Sequence, residues 1–391
     1  MKKSYIAPVV AGMVAAAVAT APATASSAAT SAAQANPFAA AAQHSYDWSA
    51  ISRAQRAAQQ WTVVADHLNN PRGITATRHN VFVAEAGAGG RTCLGGGTCV
   101  GFTGAVVEIR GGVALPVVGG LVSAAGKDGT FATGSDDVAI GSDGSINIIE
   151  TSAGLPKPPG LPRGAGDQLG RLLAYDDSGL HAVADVTKFE YKNDPDGQGP
   201  DSDPYGVLAL GKGAFAVADA AGNDVLQVDA DGTISVLAVL PNNSYGANAV
   251  PTSLALGPDG AIYVGELGGD GTPAGGARVW RIAPKSHYLS QVGSGFTDIT
   301  GLGFGPDGSM YVTELTRDPT FASPYGDVVK VAPDGTRTRL GKKLVFPAGV
   351  AVDASGNVYV NNASVLPANT PMEPPFFGMH GQTVMLTQSA G

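Results

Sequence analysis

The chain has 391 residues, 44% of them apolar and only 15% charged, with 55 glycines, 26 prolines and a formal charge of −9. That composition describes a large, turn-rich globular protein. Its acidity argues against nucleic acid or anionic lipid as a partner.

In chain order, residues 1–25 have a basic start at Lys2-Lys3, an apolar alanine-rich middle and a small-x-small end at Ala23-Thr24-Ala25. This is the pattern of a signal peptide cleaved after Ala25, with Ala33-Gln34-Ala35 as the alternative site. A retained membrane anchor is the competing reading, but Pro8 and Pro22 interrupt a run already short for a span. No cysteine follows for lipid attachment, and a paired lysine is not a twin-arginine signal, so the general secretory route to the periplasm or the exterior is expected. Loss of Lys2 and Lys3 would leave a mature charge of −11 and a chain without a membrane span. Residues 26–44 form an Ala/Ser-rich segment expected to be disordered, and 45–60 a short helix outside the main domain.

From 61 onward one unit recurs. "GPDGAIYVGE" at 257–266 returns 48 positions later as "GPDGSMYVTE". A Pro-Asp-Gly turn between alternating apolar residues predicts a hairpin, because proline fixes one dihedral and glycine supplies a positive one. Six such hairpins occur, at 73–85, 137–150, 206–219, 253–266, 301–314 and 349–362. Each is followed by a loop and a third apolar strand, and five by a fourth. The sixth unit lacks its fourth strand, while "WTVVADHL" at 61–68 has strand composition and no unit of its own. The expected fold is therefore all-β, a six-bladed β-propeller over 61–391 with the N-terminal strand closing the last blade. A β-solenoid normally has shorter repeats, and a seventh blade has no residues to form it.

With strands lettered A to D from the axis outward, the A–B and C–D turns are short, whereas the B–C and D–A connections are long and emerge on one face. Long loops on a rigid scaffold are where ligands bind, so a ligand or partner site is expected there, although the loops could simply cover the hole. Residues opening strand A, nearest the axis, are the candidates: Arg72, Asp136, Asp137, Asp203, Tyr205, Thr252 and Ser253. Asp136, Asp137, Asp201 and Asp203 are the candidate metal ligands, with calcium as the cofactor their oxygens admit. The loop "NDPDGQGPDSDP", which also carries Asp194 and Asp196, lacks the glutamate an EF-hand requires, and solvated turn acids are the competing account.

Strand B ends in an acid in five units, Glu85, Glu150, Asp219, Glu266 and Glu314, with Asn362 in the sixth. Recurrence in every blade points to bracing of loop N–H groups, because a metal site would take ligands from only some blades. The two cysteines, Cys93 and Cys99, are expected to form a local disulfide; a zinc site would need ligands that no nearby histidine supplies. The six histidines show no metal spacing, and no Gly-x-Ser-x-Gly elbow or phosphate loop occurs, so no catalytic residue is assigned.

The phrase "PDGxxYVxE" resembles the NHL-type six-bladed propellers. The order "NNPRGI", "VFVAEAGAGG", "CLGGGTCVGFTGAVVEI", "NDPDGQGPDSDPYGVLAL" and "VPTSLALGPDGAIYVGEL" is similar, more narrowly, to the ScyD/ScyE family of exported propellers. The resemblance runs from Trp61 to the C-terminus; the preceding helix and the "PMEPPFFGMHG" loop fall outside it. It implies fold and export, but no reaction and no catalytic residue. Two functions are thus expected to compete. One is an exported monomer that binds a small ligand, polysaccharide or protein through its long-loop face. The other is a calcium-dependent hydrolase or lactonase with axial oxygen ligands.

Overall fold

The structure, a computed structural model, describes residues 42, 44–78, 80–370 and 378–387. Residues 1–25, read above as a signal peptide, nearly all of the Ala/Ser-rich segment and His79 lie outside the described residues.

The repeated phrase folds the same way twice. Gly257 N donates to Ala261 O at 2.8 Å and Gly260 N to Gly257 O at 2.9 Å; Gly305 and Gly308 make the matching bonds at 2.9 Å to Ser309 O and Gly305 O. In both copies the aspartate carboxylate accepts an N–H two residues on. The closing glycines have φ of 75° and 78°, a conformation that side chains other than glycine rarely adopt.

Helix α1 (Trp48–Ala58) precedes strand β1 (Trp61–Leu68). Blade 1 contains β2 (Pro71–Ala76), β3 (Val81–Glu85), the short β4 (Thr92–Cys93), β5 (Cys99–Arg110) and β6 (Val113–Ala125). Blade 2 contains β7 (Ser135–Ile140), β8 (Ile146–Glu150), β9 (Arg171–Asp176) and β10 (Gly179–Asp185), and leads into helix α2 (Val186–Asn193). Blade 3 contains β11 (Pro204–Gly211), β12 (Ala214–Asp219), β13 (Asp224–Val228) and β14 (Ile234–Val239). Blade 4 contains β15 (Pro251–Leu256), β16 (Ile262–Glu266), β17 (Ala277–Ile282) and β18 (Leu289–Phe296). Blade 5 contains β19 (Ile299–Phe304), β20 (Met310–Glu314), β21 (Tyr325–Val331) and β22 (Arg337–Val345). Blade 6 contains β23 (Ala348–Val352), β24 (Val358–Asn362) and β25 (Gly381–Leu386).

Pairing is antiparallel throughout, and β1 completes blade 6 by pairing with β25, Trp61 opposite Leu386 and Leu68 opposite Gly381. The inner strands pack each on the next until β23 meets β2, and the ring is closed. The protein is a six-bladed β-propeller.

Two-residue alternation is what joins the blades. On β12, Phe215 and Val217 turn toward Ile149 and Leu172 of blade 2, while Ala216 and Ala218 turn toward Val264 and Trp280 of blade 4. Equivalent apolar layers fill the other four interfaces, including Trp61 and Leu386 between blades 5 and 6. Each blade is hydrophobic on both faces, so no blade is stable alone.

One segment differs from the sequence reading. Residues 186–193, expected to belong to an irregular connection, form α2, because Asp185 caps its N-terminus by accepting from Lys188 N at 3.0 Å. Helix α1 lies outside the ring but docks on it. Its N-cap Asp47 accepts from Ala50 N at 3.0 Å, and Trp48 and Ile51, three apart on one helix face, are buried against the long-loop face with Phe131, Phe346 and Leu366. No helix of the described residues is long and apolar enough to cross a membrane.

Candidate functional site

The strand-B acids occupy one position in each blade and most do one job. Glu85 accepts from Asn69 N at 2.6 Å, Asp219 from Asp203 N at 2.7 Å, Glu314 from Thr297 N at 2.8 Å, and Asn362 from Val345 N at 2.8 Å. Each bond ties the end of strand B to the D–A connection entering the same blade. Glu150 accepts instead from Ser135 Oγ at 2.6 Å, and Glu266 is held by Arg278 and by Trp280 Nε1 at 2.9 Å. Burial pushes Glu85 up to about 7 and Glu150 up to about 8 against these bonds.

At the long-loop end of the axis stands Arg72, 1% exposed. Its guanidinium donates to Ser364 O at 2.9 Å and to Ala132 O, so one side chain from blade 1 ties the loop of blade 6 to the connection entering blade 2. Asp136 is equally buried, and neither of its carboxyl oxygens has a hydrogen-bond partner among the described residues. Burial raises its pKa far above the usual carboxylate range; neighbouring Asp203 adds to the rise and Arg72 opposes it. Asp137 accepts from Val138 N at 2.8 Å and from Val207 N at 3.0 Å, stitching blade 2 to blade 3. Asp203 accepts from Thr151 Oγ1 at 2.9 Å and Ser152 N at 3.2 Å.

The residues expected on the ligand face are thus not presented to solvent. Arg72, Asp136, Asp203, Tyr205, Thr252 and Ser253 are buried and Asp137 is half-buried. The reason is the apolar lid above them, in which Trp48, Ile51, Phe131, Phe321, Phe346, Val365 and Leu366 pack over Tyr205 and Ala348. From beneath that lid a channel of about 340 Å³ runs along the axis to Thr77, Ile140, Leu256, Phe304 and Val352 on the tight-turn face.

Asp136, Asp137, Asp201 and Asp203, the expected metal ligands, do not converge. Among the described residues they bring no three carboxylate oxygens together, since Asp137 and Asp203 are committed to different backbone segments. Calcium takes six to eight oxygen ligands. Around this axis stand one carboxyl group without hydrogen bonds, a guanidinium, the Tyr205 and Ser253 hydroxyls, Thr252 and Thr300 hydroxyls that donate to Ile299 O and Pro347 O, and Ala348. That set does not fit calcium.

Two groupings escaped sequence spacing. One carboxylate oxygen each from Glu190, Asp194 and Asp196 lie within 4.8 Å of one another, as do ligand atoms of Asp66, His67 and His380. His67 and His380 stack at 3.9 Å although 313 positions separate them, so no local motif could announce the pair. Cys93 and Cys99 are joined in a disulfide.

With this geometry in hand, residues 175–365 match the family described as SMP-30/gluconolactonase/LRE-like region. Over that stretch, 191 of the 391 residues, the sequence is similar to that family. The match names neither the ScyD/ScyE nor the NHL propellers. No curated protein matches the chain. Among solved structures, a protein of unknown function from Bacteroides thetaiotaomicron aligns at 11% identity over 83% of this chain and 75% of that one, with a TM-score of 0.51. A calcium-binding protein, regucalcin, from Agrobacterium tumefaciens aligns at 13% identity over 84% and 93%, TM-score 0.48. Virginiamycin B lyase from Staphylococcus aureus aligns at 16% over 75% and 77%, TM-score 0.42. At such identities the likeness concerns the fold.

Proposed function

We propose that the protein is an exported binding propeller that engages a ligand, polysaccharide or protein partner through its long-loop face, without metal-dependent chemistry at its axis. The observation that carries this reading is the closed long-loop end of the axis, where Arg72 is bonded to two carbonyls beneath an apolar lid. Chemistry at the axis would need an open ligand position and a substrate path from the loops. The long-loop side does offer exposed apolar groups, Phe102 on the extended start of β5, Leu155 in the β8–β9 loop and Tyr245 in the β14–β15 connection. Aromatic groups held on firm loops are suited to sugar rings and to protein surfaces. Export, supported by the leader sequence and consistent with the disulfide, and the finer ScyD/ScyE assignment belong to this proposal.

The second reading, a calcium-dependent lactonase or related hydrolase, is favoured by the family match over 175–365. One experiment separates them. The full chain is titrated with soluble polysaccharides and assayed in parallel for lactone hydrolysis with calcium. The binding reading expects saturable binding weakened at least about tenfold by Phe102→Ala/Tyr245→Ala, a loss of hot-spot size. Calcium-dependent hydrolysis abolished by Asp136→Asn would overturn it in favour of the second.

A further inference from the structure

Away from the axis, blade 3 carries a group of acids that no part of the proposed binding function uses. Helix α2 ends at Asn193, and its C-cap Asp194 takes a left-handed conformation, φ 44°, as the chain turns back over blade 3. That turn brings Asp194 and Asp196 beside Glu190 of the helix. From below, the β12–β13 turn supplies Asp219 and Asp224, which face each other across the register of blade 3. A methyl group placed on Gly222 would stand 3.1 Å from Glu190 Oε2 and 3.3 Å from Asp219 Cγ, so helix and turn present carboxylates to the same small space.

Acids gathered in a loop are common and need no ion. Here two members are different. Glu190 and Asp224 are each 0% exposed, and none of their four carboxyl oxygens has a hydrogen-bond partner among the described residues. Asp224 faces Asp219, Glu190 and Asp196, and burial together with these like charges pushes it far above the usual carboxylate range. No lysine, arginine or histidine forms an ion pair with Glu190, Asp194, Asp196, Asp219 or Asp224 among the described residues. Asp219 and Asp196 are, by contrast, partly spoken for: Asp219 accepts from Asp203 N and Ser202 Oγ, and Asp196 from Asn223 Nδ2 and Gln198. Those bonds hold the rim of the site in place and leave Glu190 within it with two unpartnered oxygens, and the equally unpartnered Asp224 beside it. Buried carboxyl oxygens lacking both hydrogen bonds and counter-charges call for a cation.

We propose that Glu190, Asp194 and Asp196 hold one calcium ion between α2 and blade 3, with Asp219 bracing the site and Asp224 adding negative charge beside it. All-oxygen carboxylate ligands select a hard cation, and an irregular loop with several acids suits calcium, which tolerates variable geometry, over magnesium, which demands a strict octahedron. The ion joins α2 and the 194–203 loop to the β12–β13 turn. It therefore fixes part of the long-loop face and is separate from the axial acids.

The test is calorimetric titration of chelator-stripped full chain with calcium chloride, beside Glu190→Gln/Asp224→Asn and, as control, Asp136→Asn/Asp137→Asn. The expected result is a single site with Kd at or below about 1 mM, magnesium weaker, and affinity reduced at least about tenfold in the first variant while the control binds like the parent. Absence of binding up to about 10 mM calcium, or binding lost in the axial control and kept in Glu190→Gln/Asp224→Asn, would overturn the proposal. Should the first variant not fold, limited proteolysis of the parent chain decides. Calcium is expected to suppress cleavage within 194–203 and chelator to restore it; cleavage indifferent to calcium overturns the site.

Discussion

Replacing Arg72 by methionine keeps most of the side chain's volume and removes only the guanidinium. Two buried carbonyls, Ser364 O and Ala132 O, then lose their donor, and each buried polar group left unsatisfied costs about 1–3 kcal/mol. Asp136 loses the one neighbouring charge that favours its ionised form, which matters little if it is already neutral through burial. Against these losses stands the relief of no longer desolvating a guanidinium, so the net cost is set at about 3–5 kcal/mol, the usual consequence of breaking a buried charged contact from one side. Urea unfolding at neutral pH measures it, as a lower midpoint with an unchanged slope. Asp136→Asn, which imitates the neutral acid, is expected to change stability by less than about 1 kcal/mol. A loss below about 1 kcal/mol for Arg72→Met would show that the guanidinium is not a fixed part of the axis, and the closed-axis argument against metal chemistry would fail with it.

Three further outcomes are expected. Burial, with Glu314 and Asp318 adding to it, raises Asp298 to about 8 in the folded protein, whereas the unfolded chain ionises near 4, so its neutral form contributes stability that is lost as pH rises between those values. Asp298→Asn should therefore melt higher than the parent by a margin that grows from pH 5 to pH 8; a constant margin would contradict the assignment. Cys93→Ser opens a short disulfide loop and should cost about 2 kcal/mol, read as the difference in melting with and without reductant. Trp48→Ala removes the main anchor of α1, at a cost of about 3–5 kcal/mol if the helix unfolds with the domain, and should accelerate proteolysis between 48 and 60; unchanged cleavage would mean the lid is held by other residues.

The ring was legible because its signals are local. A Pro-Asp-Gly turn flanked by alternating apolar residues specifies a hairpin within ten residues, and the orphan strand at 61–68 could be matched to the one incomplete unit. Loop geography was legible for the same reason, since turn lengths can be counted. Burial at the axis was not. Arg72 and Asp136 look like surface residues at loop ends, and their burial depends on loops of several blades packing together with α1, a segment that sequence reasoning could recognise as helical but not position. The acids of blade 3 show the same limit. Asp194 and Asp196 stand in an evident acidic loop, but Glu190 lies within a helix and Asp224 opens a strand, and their convergence depends on how α2 crosses the blade. Long-range electrostatics follows from assembled elements, and hairpin chemistry says nothing about it.

Closure of blade 6 by β1 has a consequence for how the molecule comes into being. Trp61 finds its partner Leu386 only after every intervening blade has been made, so the pairing of highest sequence separation is also the last that can form. Until β25 is available the growing chain is an open crescent with two bare strand edges and an unfilled apolar interface, the state most exposed to misassembly with a neighbouring copy. A chain interrupted a few residues before Gly381 would keep five complete blades' worth of sequence and still lack a closed ring. The native state is therefore guarded at its very end, where six residues decide whether the other strands count.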